Sequence, residues 1–213
     1  MADYQITAII PKEKRRVLIQ FDNGMQLTLY RSEIRSLSNE AQTLLLTEGA
    51  EIPECLYQKI LNGIVGIRAK KRVLYMLEKM DRTEIQLREK MQQNGYPKEC
   101  IDAAISYAKS FHYIDDLRYA KTYVRYQQQK KSRQRLRTDL MKKGVAKQLI
   151  EQALEEEFVS DERRKILELL EKKRYDCTTK DRKEQQRMYQ FLLRRGYKSS
   201  DILGVMRCAS DYE

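Results

Sequence analysis

Three short runs near the N-terminus mix β-branched, aromatic and aliphatic residues at close spacing: YQITAII at 4–10, RVLIQF at 16–21 and MQLTLY at 25–30. Val17, Ile19 and Phe21 alternate with Leu18 and Gln20, the period of a strand with one buried face, although Leu18 blurs it. Asp22-Asn23-Gly24 joins the last two runs as a tight hairpin turn, because Asn and Gly tolerate positive φ. Residues 11–15 read as a charged loop. The pattern predicts a small β-meander of three strands, which must pack against the helices downstream, since so few strands cannot stand alone. From residue 31 the spacing becomes helical. Short helices are expected over 31–36 and 39–47, with Gly49 ending the second and Pro53 in the first turn of the next. Gly63 and Gly66 read as a junction, placing a boundary near residue 62.

Beyond that boundary the chain repeats. Gly95, Gly144 and Gly196 are 49 and 52 residues apart. Eight residues before each stands Leu87, Leu136 or Met188, and four before each stands Met91, Leu140 or Leu192. Tyr96, Val145 or Tyr197 follows directly, Ile101, Ile150 or Ile202 comes six later, and Ala104-Ile105, Ala153-Leu154 or Val205-Met206 closes the match. Apolar residues four apart share a helix face. The glycine supplies the left-handed residue that closes a helix. Pro97 is placed to open the next helix. A further helix precedes each pair, at about 66–80, 116–130 and 161–175. Asp115-Asp116 stands where the middle one begins, and Thr83-x-x-Gln86 is a capping box. The resulting fold class is mainly α: three tandem three-helix repeats in an elongated, curved array, after a small N-terminal β-containing segment. The expected parts are 1–62, then repeats over 63–110, 111–158 and 159–213.

Charge changes the picture next. The 213 residues carry 42 Lys+Arg against 31 Asp+Glu, a net charge of +11, yet residues 1–62 are close to neutral. Residues 118–147 hold eleven basic groups and one acid, Asp139. A solvated helix face interleaves both signs. An excess of eleven to one reads instead as a surface for a polyanion. Tyr119, Tyr123 and Tyr126 lie within this string. The first two read as core, and for Tyr126 core and base-stacking remain equally open.

No reaction chemistry emerges. The four cysteines are scattered without CxxC pairs, and read as reduced thiols. His112 is the lone histidine, with a local hydrogen-bonding role expected; Asp115-Asp116 reads as a cap rather than a metal site. There is no GxxxxGK[ST] or GxGxxG loop, and Gly63-x-x-Gly66 lacks the surroundings of an RNA-clamping loop. Neither a signal peptide nor an apolar run of about 20 residues is present. These absences lead us to expect a non-enzymatic cytoplasmic monomer without cofactor, metal, catalytic residues or membrane contact.

The run from Phe111 to Leu154 resembles the central repeat of the RecX family. That pattern is an aromatic-x-(Tyr/Leu)-(Ile/Leu)-(Asp/Asn)-Asp-x-(Arg/Glu)-(Tyr/Phe)-Ala stretch, a basic string, then Leu-x-x-(Lys/Arg)-Gly-(Val/Ile) and Ile-x-x-Ala-Leu. It stands here as Tyr113, Ile114, Asp115, Asp116, Arg118, Tyr119 and Ala120, then Leu140, Lys143, Gly144, Val145, Ile150, Ala153 and Leu154. The resemblance spans about residues 60–200. The β-containing segment is similar to an extension of some longer members, and the third repeat departs most, with a longer loop at 176–182 and Met188-Tyr189 in place of the usual leucine context. The resemblance implies a repeat protein lying in the groove of the RecA–single-stranded DNA filament. There it would suppress ATP hydrolysis, filament extension and strand exchange, and so modulate DNA repair, homologous recombination and the SOS response. The string attracted to such a groove is expected to act through Arg125, Lys130, Lys131, Arg133, Arg135, Arg137, Lys142 and Lys143. The alternatives are a helical-repeat nucleic-acid-binding protein acting without RecA, and an adaptor for an acidic protein.

Overall fold

The computed structural model describes residues 3–40, 46–176, 179 and 181–208. The chain divides into two compact units, Met1–Asp115 and Asp116–Glu213. In the first, β1 (Asp3–Lys12), β2 (Arg16–Phe21), β3 (Gln26–Tyr30) and β4 (Glu51–Pro53) form an antiparallel sheet ordered β3-β2-β1-β4. The alternation in β2 buries Val17, Ile19 and Phe21, and β3 adds Leu27 and Leu29. Gly24 turns the hairpin at φ 78° and donates its N–H to the Phe21 carbonyl.

The sheet exceeds the expected three-stranded meander by one strand. Only Ile52 of β4 is buried, so three residues carry no readable alternation. Its pairing with Asp3, Tyr4 and Gln5 is a long-range event, prepared by Gly49 at φ 83°. Pro11 and Lys12 belong to β1 rather than to the loop. Because β4 pairs only with the start of β1, Pro11 sits where one strand edge needs no N–H.

Helix α1 (Arg31–Glu40) runs past the expected end at 36. The expected helix at 39–47 falls mostly on residues 41–45, outside the described residues. Pro53 caps α2 (Glu54–Gln58) from the N-cap position, rather than lying in its first turn. No break follows at Gly63 or Gly66. A π-helical stretch, Lys59–Gly66, passes directly into α3 (Ile67–Lys79), and Gly66 has helical dihedrals. Glycine permits a break without dictating one. Here Ile60, Leu61, Val65, Ala69 and Val73 form one buried face that outweighs the roughly 1 kcal/mol each glycine costs a helix. One apolar cluster therefore extends from Ile6 of the sheet to Ile114.

The repeats take shape as expected. The first is α3, α4 (Glu84–Gln93) and α5 (Lys98–Ser110). The second is α6 (Asp116–Gln127), α7 (Arg133–Lys142) and α8 (Lys147–Glu157), and the third is α9 (Glu162–Lys172), α10 (Arg182–Arg194) and α11 (Ser199–Cys208). Thr83 and Gln86 form the reciprocal capping box. Gly95, Gly144 and Gly196 all have positive φ (77°, 81° and 83°). In each case the N–H after the glycine donates to a carbonyl five residues back, at Met91, Leu140 or Leu192. His112 also takes a left-handed conformation, φ 55°, just past the end of α5.

The third repeat departs where the sequence does. Thr83 and Ser132 cap the middle helices of the first two repeats, each twelve residues before the glycine; Asp181, fifteen before Gly196, caps α10 and makes it one turn longer. Cys55 and Cys100 are free thiols, and burial pushes the Cys100 thiol up to about 11. Cys177 and the side chain of Cys208 lie outside the described residues. No helix among the described residues is long and apolar enough to cross a membrane.

Candidate nucleic-acid interface

The basic string runs through α6 and α7 to Lys147 at the start of α8, and its members make different contacts. Arg125 and Arg137 are committed within the repeat. Arg125 makes a two-pronged pair with Glu157 at 2.7 and 3.0 Å, and Arg137 one with Glu151 at 2.6 and 2.7 Å. Lys121 pairs with Glu156. Hydrogen bonds from these cations hold the carboxyls of Glu151, Glu156 and Glu157 below the ordinary range. The counter-charges come from α8, beyond the end of the string, so counting to residue 147 overstates the local excess.

Tyr119 and Tyr123 are partly buried against the repeat's core, stacked on each other, as expected for core residues; Tyr126 is 74% exposed. Lys143 lies over both core rings, 5.9 and 5.4 Å from their centroids. Arg133 lies over Phe158. Lys142 is exposed at the end of α7 and has no ion pair among the described residues.

The remaining three, Lys130, Lys131 and Arg135, converge on a cleft of about 310 Å³ with Ser132 and with Arg194, Arg195 and Tyr197 of the third repeat. Asp139 pairs with two of them, 2.8 Å from Lys131 and 3.2 Å from Arg135. Burial pushes the Asp139 carboxyl up, but Lys131, Arg135 and the Tyr123 hydroxyl outweigh it and leave it lowered. Five cations thus line the cleft with no carboxylate among its lining residues; Asp139 pairs with two of them from behind, and Glu162 and Glu168 lie within electrostatic reach of Tyr197. Arg194 and Arg195 stand out in sequence only as the cationic end of a helix. Their part in the cleft depends on Gly196, which folds the chain back at that point.

The cleft is held by a polar junction between the second and third repeats. The Ser132 hydroxyl donates to the Arg195 carbonyl at 2.7 Å and caps α7 through the Arg135 N–H. Glu162 accepts from the Arg133 N–H, and the Gln128 side chain accepts from the Val159 N–H. The ammonium of Lys165, 5% exposed, donates to the carbonyls of Gln128 and Lys131. Burial lowers its pKa. Lys165 was not picked out by sequence reasoning, and an isolated lysine in an amphipathic helix gives no signal that it will be buried.

Comparison with known proteins agrees with this architecture repeat by repeat. Models for the first, second and third three-helix domains of RecX match residues 69–107, 115–154 and 161–206. Regulatory protein RecX of Caldanaerobacter subterraneus subsp. tengcongensis is 29% identical over 202 residues, covering 92% of this chain and 95% of that protein. Its counterpart in Vibrio parahaemolyticus is 33% identical over 149 residues, 69% of this chain and 94% of the relative. A crystal structure of regulatory protein RecX superposes with a TM-score of 0.61 at 23% identity over 96% of this chain and 99% of the other, and RecX from Lactobacillus salivarius with 0.60 at 24% identity over 69% and 97%. With its three helical repeats matched in order and a relative above 30% identity aligned along nearly its whole length, the chain belongs to the RecX family of regulatory proteins.

Proposed function

We propose that this protein binds the RecA–single-stranded DNA filament and restrains its ATP hydrolysis and strand exchange, with the cleft between the second and third repeats facing the filament's phosphates. The observation that carries this reading is the convergence of Lys130, Lys131, Arg135, Arg194 and Arg195 on one cleft whose lining holds no carboxylate, only Lys131 and Arg135 being paired among the described residues, both with Asp139. Clustered cations that are not neutralised internally attract a polyanion and release its counterions. Arg125, Arg133, Arg137, Lys142 and Lys143 of the same repeat add further positive charge to this reading, and Arg125 and Arg137 reach the filament only by giving up their glutamates. The protein acts as a monomer in the cytoplasm, by binding rather than by chemistry.

The test is RecA's single-strand-dependent ATP hydrolysis as the protein is titrated in, with bare single-stranded DNA binding measured at the same salt. Inhibition of hydrolysis is expected, lost when Lys130, Lys131, Arg194 and Arg195 are changed together to Ala. Firm DNA binding with no effect on RecA would overturn this reading in favour of a nucleic-acid-binding protein that acts alone.

A further inference from the structure

The first sixty residues are nearly neutral as a sequence, but the fold does not spread their charge evenly. The loop between β1 and β2 is Glu13-Lys14-Arg15, and Lys14 and Arg15 both take positive φ, 59° and 61°. Left-handed backbone costs an ordinary side chain about 1 kcal/mol per residue. Asn or Gly would fill such a turn with less strain. The turn sets Lys14 and Arg16 beside α3, whose exposed side is itself cationic. Lys14, Arg16 and Arg72 line a pocket of about 290 Å³ with Thr28, Tyr30, Arg68, Asn94, Gly95 and Tyr96.

No carboxylate lines this pocket. Arg68 is neutralised from behind by Glu33, at 2.7 and 2.9 Å, and is held by the Thr28 carbonyl. Its guanidinium lies between two rings, 5.0 Å from Tyr30 and 5.7 Å from Tyr96. Lys14, Arg16 and Arg72 have no ion pair among the described residues, so the pocket keeps three uncompensated positive charges. The C-terminal end of α4 at Asn94 and Gly95 opposes an anion, but a helix dipole amounts to about half a charge and falls off within a turn.

We propose that this pocket is a second binding site, for single-stranded nucleic acid, in which Lys14, Arg16 and Arg72 take backbone phosphates and Tyr30, 38% exposed, takes a base. Three cations around a pair of tyrosines suit a ligand that alternates phosphate with a flat π-face. An acidic peptide would use the cations and leave the rings idle. The site lies in the first unit and stands or falls independently of the cleft in the second.

The experiment uses the full chain and an eight-residue oligothymidylate carrying 4-thiothymidine. Photo-cross-linked peptides should contain Tyr30 or Tyr96, and should persist when Lys130, Lys131, Arg194 and Arg195 are changed to Ala. In that cleft-silenced background, adding Lys14→Ala, Arg16→Ala and Arg72→Ala should abolish the cross-link. It should also flatten the salt dependence of binding by about 2 in the log–log slope, at ~0.7 per phosphate. Between 50 and 200 mM salt that is about a 20-fold smaller loss of affinity. Lys14→Asn alone keeps a residue suited to the left-handed turn, so it should raise the melting temperature while weakening binding. Cross-links confined to the second unit, an unchanged salt slope, or equal competition by polyglutamate at matched charge would each overturn the proposal.

Discussion

The two units are held together by different means. In the first, sheet and repeat share one apolar cluster from Ile6 to Ile114, and its one buried polar side chain among the described residues, Thr83, is a helix cap. In the second, the repeats keep separate apolar cores, one around Leu136 and Leu140 and one around Ile166 and Leu192. Between them lie Gln128, Ser132 and Lys165, all buried and all hydrogen-bonded. Apolar contact tolerates small shifts, whereas a buried hydrogen bond fails when its partner is lost. The second unit is therefore the more precisely set and the more easily broken, and its candidate cleft lies at that junction.

The sharpest way to break the contrast is Lys165→Met. The methionine fills similar space, but the Gln128 and Lys131 carbonyls lose their donor, at about 1–3 kcal/mol each. The third repeat should lose roughly 3 kcal/mol of protection. Hydrogen exchange resolved by peptide should show this over residues 162–208 while the first unit is unchanged. Unaltered protection would mean that the junction does not depend on Lys165.

At alkaline pH Cys100 of the first unit and Lys165 of the second should contribute to stability with opposite signs. Burial raises the Cys100 thiol from 9.0 to about 11 and the Tyr57 hydroxyl from 10.0 to about 12. A group whose folded pKa is raised favours the folded state fully below its unfolded value, and that contribution is lost as pH rises through the folded value. The first unit should lose about 2–3 kcal/mol on this account from Cys100 between pH 9 and 11, two pKa units at 1.36 kcal/mol each. Lys165 has the other sign. Its folded pKa is lowered by burial, so the unfolded chain binds the extra proton, and the Lys165 contribution to stability grows as pH climbs toward the ordinary lysine value of 10.5, against the raised Tyr197 hydroxyl and Lys131 ammonium of the same unit, which lose stability there. Exchange protection followed from pH 8.5 to 10.5 should fall in the first unit, where Cys100→Ala should remove part of the fall, and Lys165→Met should make the junction's protection fall more steeply with pH than it does in the unaltered protein.

How much of this was legible depends on the range of each interaction. The glycine caps, the Thr83 box and the strand alternation are local, and residues 4–10, 16–30, 83–157 and 182–206 could be read into elements from spacing alone. β4 could not, because three residues with one buried side chain carry no period. Gly63 and Gly66 misled because glycine is only permissive. The basic string was legible as composition but not as a surface. Its counter-charges, Glu151, Glu156 and Glu157, lie past its end, and Arg194 and Arg195 join it from fifty residues away. The pocket of Lys14, Arg16 and Arg72 was invisible for the same reason, since the sheet must form before the loop can meet α3.

Repeat-equivalent glycines offer a finer comparison. Gly95 and Gly196 have almost the same φ, but a Cβ on Gly95 meets nothing within 4 Å, whereas one on Gly196 comes within 2.8 Å of the Ser132 hydroxyl and 3.2 Å of the Arg135 nitrogen. Gly95→Ala should cost about 1 kcal/mol of backbone strain. Gly196→Ala adds a collision with a hydroxyl that is fixed at both ends, and should cost about 2 kcal/mol or more. Equal losses by thermal melting would argue that the junction yields easily.

The smallest effect should be a gain. Helix α9 closes through Arg174 at φ 53°, with the Arg174 N–H bonded to the Glu171 carbonyl and the Tyr175 N–H to Leu170. This is the geometry that glycine provides at 95, 144 and 196, here imposed on a residue with a Cβ. The Arg174 side chain makes no hydrogen bond or ion pair among the described residues, so the strain returns nothing visible there. Arg174→Gly should stabilise the third repeat by about 0.5–1 kcal/mol, the difference between relieved strain and the added freedom of the unfolded glycine. For a unit of this size that is a rise of a few degrees in melting temperature. A fall instead would mean that the arginine side chain makes a contribution larger than the strain it bears.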